Sequence, residues 1–237
     1  MDDPRCALYV SSCDKYSDLW RPFFDLLVKY WPDRPYEITL GSESEPFDME
    51  GLSVRCPRWF KSGANVPWGL LTMGMLDSID ADYVLFMLDD FFLSRPVDQE
   101  MVSRCVDWLD ADKDAGGFIL RPITARLYEQ SRYPPFMTLV NTGRYSEFTQ
   151  AAVWRKSVLR GLLLPYDNPW QWEEESGARA RERNARVYYI DSRETDYAAV
   201  YYPPGGVLRK GTLTGEGARA LEENGMLDAL NNRERGI

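Results

Sequence analysis

The chain has 237 residues and no histidine. This removes Ser-His and Cys-His nucleophile activation, the commonest general base at neutral pH, and the usual nitrogen ligand of zinc. Any chemistry must come from carboxylates, a metal ion, or Lys, Arg and Tyr. Cysteine is scarce too: Cys6, Cys13, Cys56 and Cys105 form no C-x-x-C pair, so neither a zinc site nor a disulfide framework is expected. No apolar run approaches the ~18–20 residues of a membrane-spanning helix. The opening Met1-Asp2-Asp3-Pro4-Arg5 lacks the basic and apolar regions of a signal peptide, so the expectation is a soluble, cytoplasmic protein. Positive charge is in short supply as well. With 28 Lys and Arg against 37 Asp and Glu, the net charge of −9 opposes attraction to phosphate backbones, and nucleic acid is not an expected partner. No repeat, low-complexity tract or linker divides the sequence, and 44% hydrophobic residues suffice for one core; a single domain over 1–237 is expected.

What is present alternates between strand and helix patterns. Cys6 to Ser12 is a short buried strand that gives way to Cys13-Asp14-Lys15-Tyr16 and then to a helix capped by Ser17, with apolar residues at Leu19, Phe23, Leu26, Leu27 and Tyr30. Tyr36 to Leu40 fits a second strand. Trp68, Leu71, Met75, Leu76 and Ile79 make a helical face, and Tyr83 to Leu88 is a continuous apolar run of the kind found in central strands covered on both sides. Val97 to Leu109 reads as helix and Gly117 to Arg121 as strand. Leu127 to Tyr145 reads as irregular or β. A short helix is expected from Ala151 through Leu163, another from Trp170 capped by Asn168-Pro169, a strand over Arg186 to Ile190, and an amphipathic helix over Thr214 to Leu230. Arg179, Arg181, Arg183 and Arg186, interleaved with Glu182, read as a solvated helix face. The pattern is an α/β fold with a mostly parallel central sheet.

Three constellations carry chemistry. Asp89-Asp90 directly follows the apolar run, and ligands of open α/β sheets bind outside the carboxyl ends of strands. Adjacent carboxylates repel unless a cation or shared proton relieves them, and hard oxygen donors without histidine suit Mg²⁺ or Mn²⁺. A strand-end turn is the plainer reading of the pair. Glu173-Glu174-Glu175 follows Trp170-Gln171-Trp172. Acidic residues in a first helical turn answer the helix dipole, whereas flanking tryptophans could stack on a sugar ring and a glutamate there could act as general base. Pro203 to Gly211 holds glycines and the cations Arg209 and Lys210, either a surface turn or a place for a diphosphate to approach.

Taken in order, Ser12-Cys13-Asp14-Lys15-Tyr16, Tyr83 to Leu93 (YVLFMLDDFFL), Gln150 to Arg155 (QAAVWR), Pro169 to Gly177 (PWQWEEESG) and Arg209 to Gly211 (RKG) resemble bacterial GT-A glycosyltransferases of surface-polysaccharide (LPS and capsule) biosynthesis. The resemblance implies a GT-A-like domain with a Rossmann-like nucleotide-binding half and an acceptor-side half. By the same resemblance, Asp90 is a metal ligand and Asp89 a ligand or ribose neighbour, standing for the Asp-x-Asp motif without its spacer. Ser12 and Asp14 line the nucleotide pocket, Glu173, or Glu174 one position on, is the base, and Arg209 or Lys210 meets the diphosphate. The implied reaction is inverting transfer from a nucleotide-sugar donor, a UDP-sugar by family habit, to a glycan or lipid-linked acceptor. Mn²⁺ or Mg²⁺ would assist, and docking at a membrane surface stays open. A sugar nucleotidyltransferase, a glycoside hydrolase and a noncatalytic sugar-binding protein are the alternatives.

Overall fold

The structure, a computed structural model, describes residues 3–123, 128–139, 146, 148–230, 232 and 233. Its centre is a nine-stranded sheet made of β1 (Cys6–Ser11), β2 (Glu37–Gly41), β3 (Val54–Arg55), β4 (Tyr83–Leu88), β5 (Ala115–Ile123), β6 (Tyr128–Gln130), β7 (Phe136–Leu139), β8 (Ala152–Arg155) and β9 (Arg186–Asp191), in the order β3-β2-β1-β4-β8-β5-β9-β7-β6. β3, β2, β1 and β4 are mutually parallel, as are β5 and β9; β8 runs antiparallel to both β4 and β5, and β7 to β9 and β6. The sheet is therefore mostly parallel in direction, with β8 and β7 reversed.

Helices cover both faces, which is why the central strands read as unbroken apolar runs. On one face Leu85 and Met87 pack with α1 (Ser17–Tyr30) and α3 (Gln99–Ala111); on the other Val84 and Phe86 pack with α2 (Trp68–Ser78), α4 (Lys156–Leu162) and α5 (Pro169–Glu182). α6 (Gly215–Glu223) adds Leu221 to the first face, and a two-stranded hairpin of β10 (Leu208–Arg209) and β11 (Thr212–Leu213) precedes it. α5 starts on a complete capping box: the Asn168 side chain accepts the Gln171 N–H at 2.9 Å, the Gln171 side chain accepts the Asn168 N–H at 3.1 Å, and Pro169 takes the first turn.

Several expectations are corrected. Ala151 does not begin a helix: Ala152–Arg155 is strand β8, and the helix starts at Lys156. The alanines favour helix in isolation, but pairing with β4 on one side and β5 on the other overrides that preference. The last helix stops at Glu223 rather than Leu230, because Gly225 takes the left-handed conformation (φ 68°) and only a 3₁₀ turn, Leu227–Leu230, follows. Ser17 opens α1 but does not cap it; a 3₁₀ turn over Asp14–Tyr16 leads into the helix. In the stretch read as irregular or β, the described part is the β6–β7 hairpin, while residues 127 and 140–145 lie outside the described residues.

Arg179 is also not part of a solvated face. Its guanidinium forms a two-pronged pair with Asp167, at 2.5 and 2.9 Å, and donates to the Leu162 carbonyl at 3.1 Å. Asp167 is 1% exposed and also accepts the Leu164 N–H at 2.8 Å. This knot fixes the loop entering α5, and with it the helix that carries Glu173. Arg179→Ala leaves a buried carboxylate unpaired, with an expected loss of about 3–5 kcal/mol. Arg181→Ala, on the exposed side of α5, should stay within about 0.5 kcal/mol of the parent. Urea unfolding at pH 7 compares the two, and equal small losses would show that the knot does not hold the loop.

Candidate functional site

β4 ends in the middle of the sheet, and the chain must turn there with two aspartates. Asp89 is 6% exposed, and its N–H donates to the Ser11 carbonyl at 3.2 Å, continuing the β1 ladder by one residue. Its carboxylate accepts a short hydrogen bond from the Ser12 hydroxyl, which in turn accepts the Trp20 indole N–H at 2.6 Å. Ser12 and Trp20 are both buried, so Asp89 is locked from the side of α1. Burial, together with the charge of Asp90 beside it, pushes the Asp89 carboxyl well above the usual carboxylate range.

Asp90 is held differently. Its carbonyl accepts the Val207 N–H at 2.9 Å, and burial pushes its carboxyl up to about 7 against the pull of the Leu208 backbone N–H. Oδ1 is buried with no hydrogen-bond partner. Over the other oxygen lies Gly206, in the left-handed region at φ 79°, where a Cβ would stand 2.2 Å from Oδ2. The glycine loop thus touches the second aspartate directly, an approach that a side chain at 206 would prevent.

Beyond this loop the β10–β11 hairpin turns at Lys210 and Gly211, both at positive φ (54° and 83°), as a two-residue hairpin of the tightest kind demands. Arg209 and Lys210 are exposed at its tip and make no ion pair among the described residues. The Gly211 carbonyl accepts from Arg233 at 3.2 Å, and Arg233 also pairs with Asp18 and stands 4.8 Å over the Tyr16 ring. Its charge is felt at Asp89. The hairpin tip is therefore beside the turn that follows β1, on the same rim as the aspartates.

The glutamates part company. Glu173 is 5% exposed, and its carboxylate accepts the Thr149 N–H at 2.8 Å and, more closely, the Thr149 hydroxyl. Thr149 precedes Gln150, which accepts from the Tyr202 hydroxyl, and the Tyr202 ring stacks on Phe91 next to Asp90, so the Glu173 carboxylate is tied to a segment beside the aspartates. Glu174 and Glu175 point to solvent, Glu175 pairing with Arg179 at 2.7 Å. The two tryptophans differ as well: Trp172 is fully buried against Trp68 and Phe148, while Trp170 is 67% exposed. Of the two, only Trp170 presents its ring to solvent.

Asp14 sits on the same rim, but its carboxylate is spent on protein. It accepts the backbone N–H groups of Glu43, Ser44 and Glu45 at 3.0–3.1 Å and the Ser44 hydroxyl, which holds the carboxyl below its usual range. What it builds is the loop after β2. Sequence reasoning missed Thr149 and Arg233. Of these only Thr149 had a usable signal, a polar residue beside the start of an apolar segment.

The donor set fits a hard divalent cation. The buried Oδ1 of Asp90 is an oxygen without a hydrogen-bond partner, and the chain has no histidine to offer a nitrogen ligand. Among the described residues no group of three or more carboxylate or thiol side chains could hold an ion alone. Such an ion would take its remaining ligands from phosphate and water, the usual habit of Mg²⁺.

The raised pKa gives this a sign. Between about pH 4 and 7 the unfolded chain has lost the Asp90 proton while the folded chain keeps it, so stability falls as pH rises and the deficit is complete above 7. In chelator at pH 8, Asp90→Asn should be more stable than the parent by roughly 1–3 kcal/mol, with the gap closing near pH 4. Mn²⁺ at pH 8 should stabilise the parent alone. Parallel pH curves for the two proteins, by thermal unfolding, would place Asp90 in water rather than in a buried site.

No protein-family model matches the chain, and no curated protein matches it in sequence. Solved structures do share its shape. The chain superposes on TarS from S. aureus with a TM-score of 0.50 at 11% identity, covering 81% of this chain and 36% of that one. It superposes on the mannosyltransferase PcManGT from Pyrobaculum calidifontis, solved in complex with GDP-Man and Mn2+, with a TM-score of 0.51 at 12% identity, covering 81% and 57%. The chain thus spans between a third and three fifths of the length of these proteins. A cytidylyltransferase from Leptospira borgpetersenii aligns over 98% and 99% of the two chains at 11% identity, with a looser TM-score of 0.49. At such identities the likeness is one of architecture: a GT-A-like α/β fold with a large, mostly parallel sheet flanked by helices.

Proposed function

We propose that the protein transfers a glycosyl group from a nucleoside-diphosphate sugar to a hydroxyl of a glycan or lipid-linked acceptor, with inversion and with Mn²⁺ or Mg²⁺, the whole chain serving as one domain. The observation that carries this reading is the aspartate pair at the end of β4, one oxygen of which is buried without a partner beneath a glycine loop. A divalent ion there supplies positive charge to the departing diphosphate. Asp90 holds the ion. Asp89, locked by Ser12, keeps the turn in place and faces the ribose side. The exposed cations Arg209 and Lys210 bring further positive charge to the leaving group, the kind of stabilisation that usually contributes most.

Glu173 is the base in this reading. Its carboxylate is oriented by two bonds from Thr149 and belongs to the same sheet end, whereas Glu174 points to solvent. It accepts the proton of the acceptor hydroxyl as that oxygen attacks the anomeric carbon, and the sugar–phosphate bond breaks on the opposite side. Trp170 offers an exposed ring to the acceptor. The neighbour solved with GDP-Man and Mn2+ supports the metal and adds a guanosine donor to the uridine one.

The test is calorimetric titration of UDP and GDP with and without Mn²⁺, on the parent and on Asp90→Ala. Metal-dependent binding in the parent should weaken at least tenfold, about 1.4 kcal/mol, in the variant. Glu173→Gln should keep nucleotide affinity and lose about 10²–10⁴ in turnover, followed as nucleoside diphosphate released from sugar nucleotides. Unchanged turnover would leave Glu173 as an anchor for Thr149. Pyrophosphate release from a nucleoside triphosphate would replace transfer with nucleotidyl chemistry.

A further inference from the structure

Arg121 stands near the end of β5, and nothing above uses it. Its Nη1 is buried with no hydrogen-bond partner. Its guanidinium lies 4.7 Å over the ring of Tyr202, which stacks on Phe91 at 4.1 Å and 11°, and Phe91 directly follows Asp90. The Tyr202 hydroxyl is fixed by Gln150 at 3.0 Å and by the Ala151 N–H at 3.0 Å. Asp90 and Arg121 both act electrostatically on that phenol, in opposite senses. The pairing is consistent with this: Ala152 is flanked by Phe86 on β4 and Ile119 on β5, and the Leu120 N–H donates to the Ala151 carbonyl at 2.8 Å. An irregularity in the β5–β9 pairing lies between Ile119 and Pro122, the kind of break that re-aims a side chain.

A buried guanidinium nitrogen without an acceptor is costly, and so is a buried carboxylate oxygen without a donor. Both occur around one tyrosine, and yet the two groups form no ion pair with each other. One ligand that brought a cation to Asp90 and an anion to Arg121 would satisfy both. The planar fork of arginine matches the paired oxygens of a phosphate or carboxylate. We propose that Arg121 is an oxyanion-binding residue of this site, taking a phosphate or carboxylate group of the substrate across the Tyr202 ring from Asp90. The proposal rests on the glycosyl-transfer reading only for which molecule carries the oxyanion.

The experiment uses the full chain and its variants Arg121→Met and Arg121→Lys, with inorganic pyrophosphate and glucuronate as probes, each with and without Mn²⁺, read by thermal unfolding and calorimetry. Methionine keeps the packing over Tyr202 and removes the fork. Without ligand, Arg121→Met should unfold at or above the parent midpoint. One of the two probes should bind the parent at least tenfold more tightly than Arg121→Met, with Arg121→Lys between. Loss of pyrophosphate binding assigns the oxyanion to the diphosphate; loss of glucuronate binding assigns it to a charged sugar. Equal responses of parent and Arg121→Met to both probes, including no response, overturn the proposal, as does a large stability loss in Arg121→Met with probe binding intact. Metal-dependent nucleotide binding that survives Asp90→Ala would sink the transfer reading and leave the Arg121 comparison standing.

Discussion

Two neighbouring carboxylates taken out of water at the end of the central strand set the terms for everything around them. Neither Asp89 nor Asp90 would stay so placed by its own energetics, since burial and mutual repulsion both raise the cost of charge. The surroundings answer each one separately. Asp89 receives a hydroxyl backed by an indole N–H, and it feels the positive charge of Arg233. Asp90 receives backbone N–H groups on one side and a glycine that stays out of its way on the other, but one oxygen is left unanswered. That division leaves one aspartate fixed on both sides and the other with an oxygen still open to a partner.

The rest of the site depends on the reversal of β8. Because it runs against β4 and β5, the chain enters the sheet at the carboxyl end of its parallel neighbours, and residues 148–150 lie among the strand ends where the aspartates turn. Thr149 then reaches Glu173 on α5, and Gln150 reaches Tyr202. A parallel strand in this place would have delivered those residues to the far edge. Topology, more than local sequence, is what joins the aspartate turn to α5 and to the Tyr202 segment.

The parts legible in the sequence were those with a strong period or a strong boundary. The β4 run, the helical face of Trp68 to Ile79 and the Asn168-Pro169 start of α5 all correspond to elements of the fold. β8 was not legible, because Ala151-Ala152 carries no strand signal of its own and acquires strand structure from its two partners. The same limit applied to side chains. Trp172 and Trp170 are indistinguishable as letters, yet one is core and the other surface. Glu173 and Glu174 differ only in which side of α5 they occupy, and Asp14 looked available until the 43–45 loop was seen to occupy it. Arg121 announced nothing, since an arginine after an apolar strand usually marks its exit to solvent.

The contact between Gly206 and Asp90 bears on how such a site can change over generations. Residues that only have to be acidic can drift between aspartate and glutamate and between positions, with the bound ion adapting. A backbone atom pressed against the carboxylate admits no such latitude, for any side chain would collide with the acid and the conformation itself disfavours one. A position with little freedom to vary is thus a glycine far downstream of the acidic pair, and a side chain there would be admitted only by moving the loop that carries it.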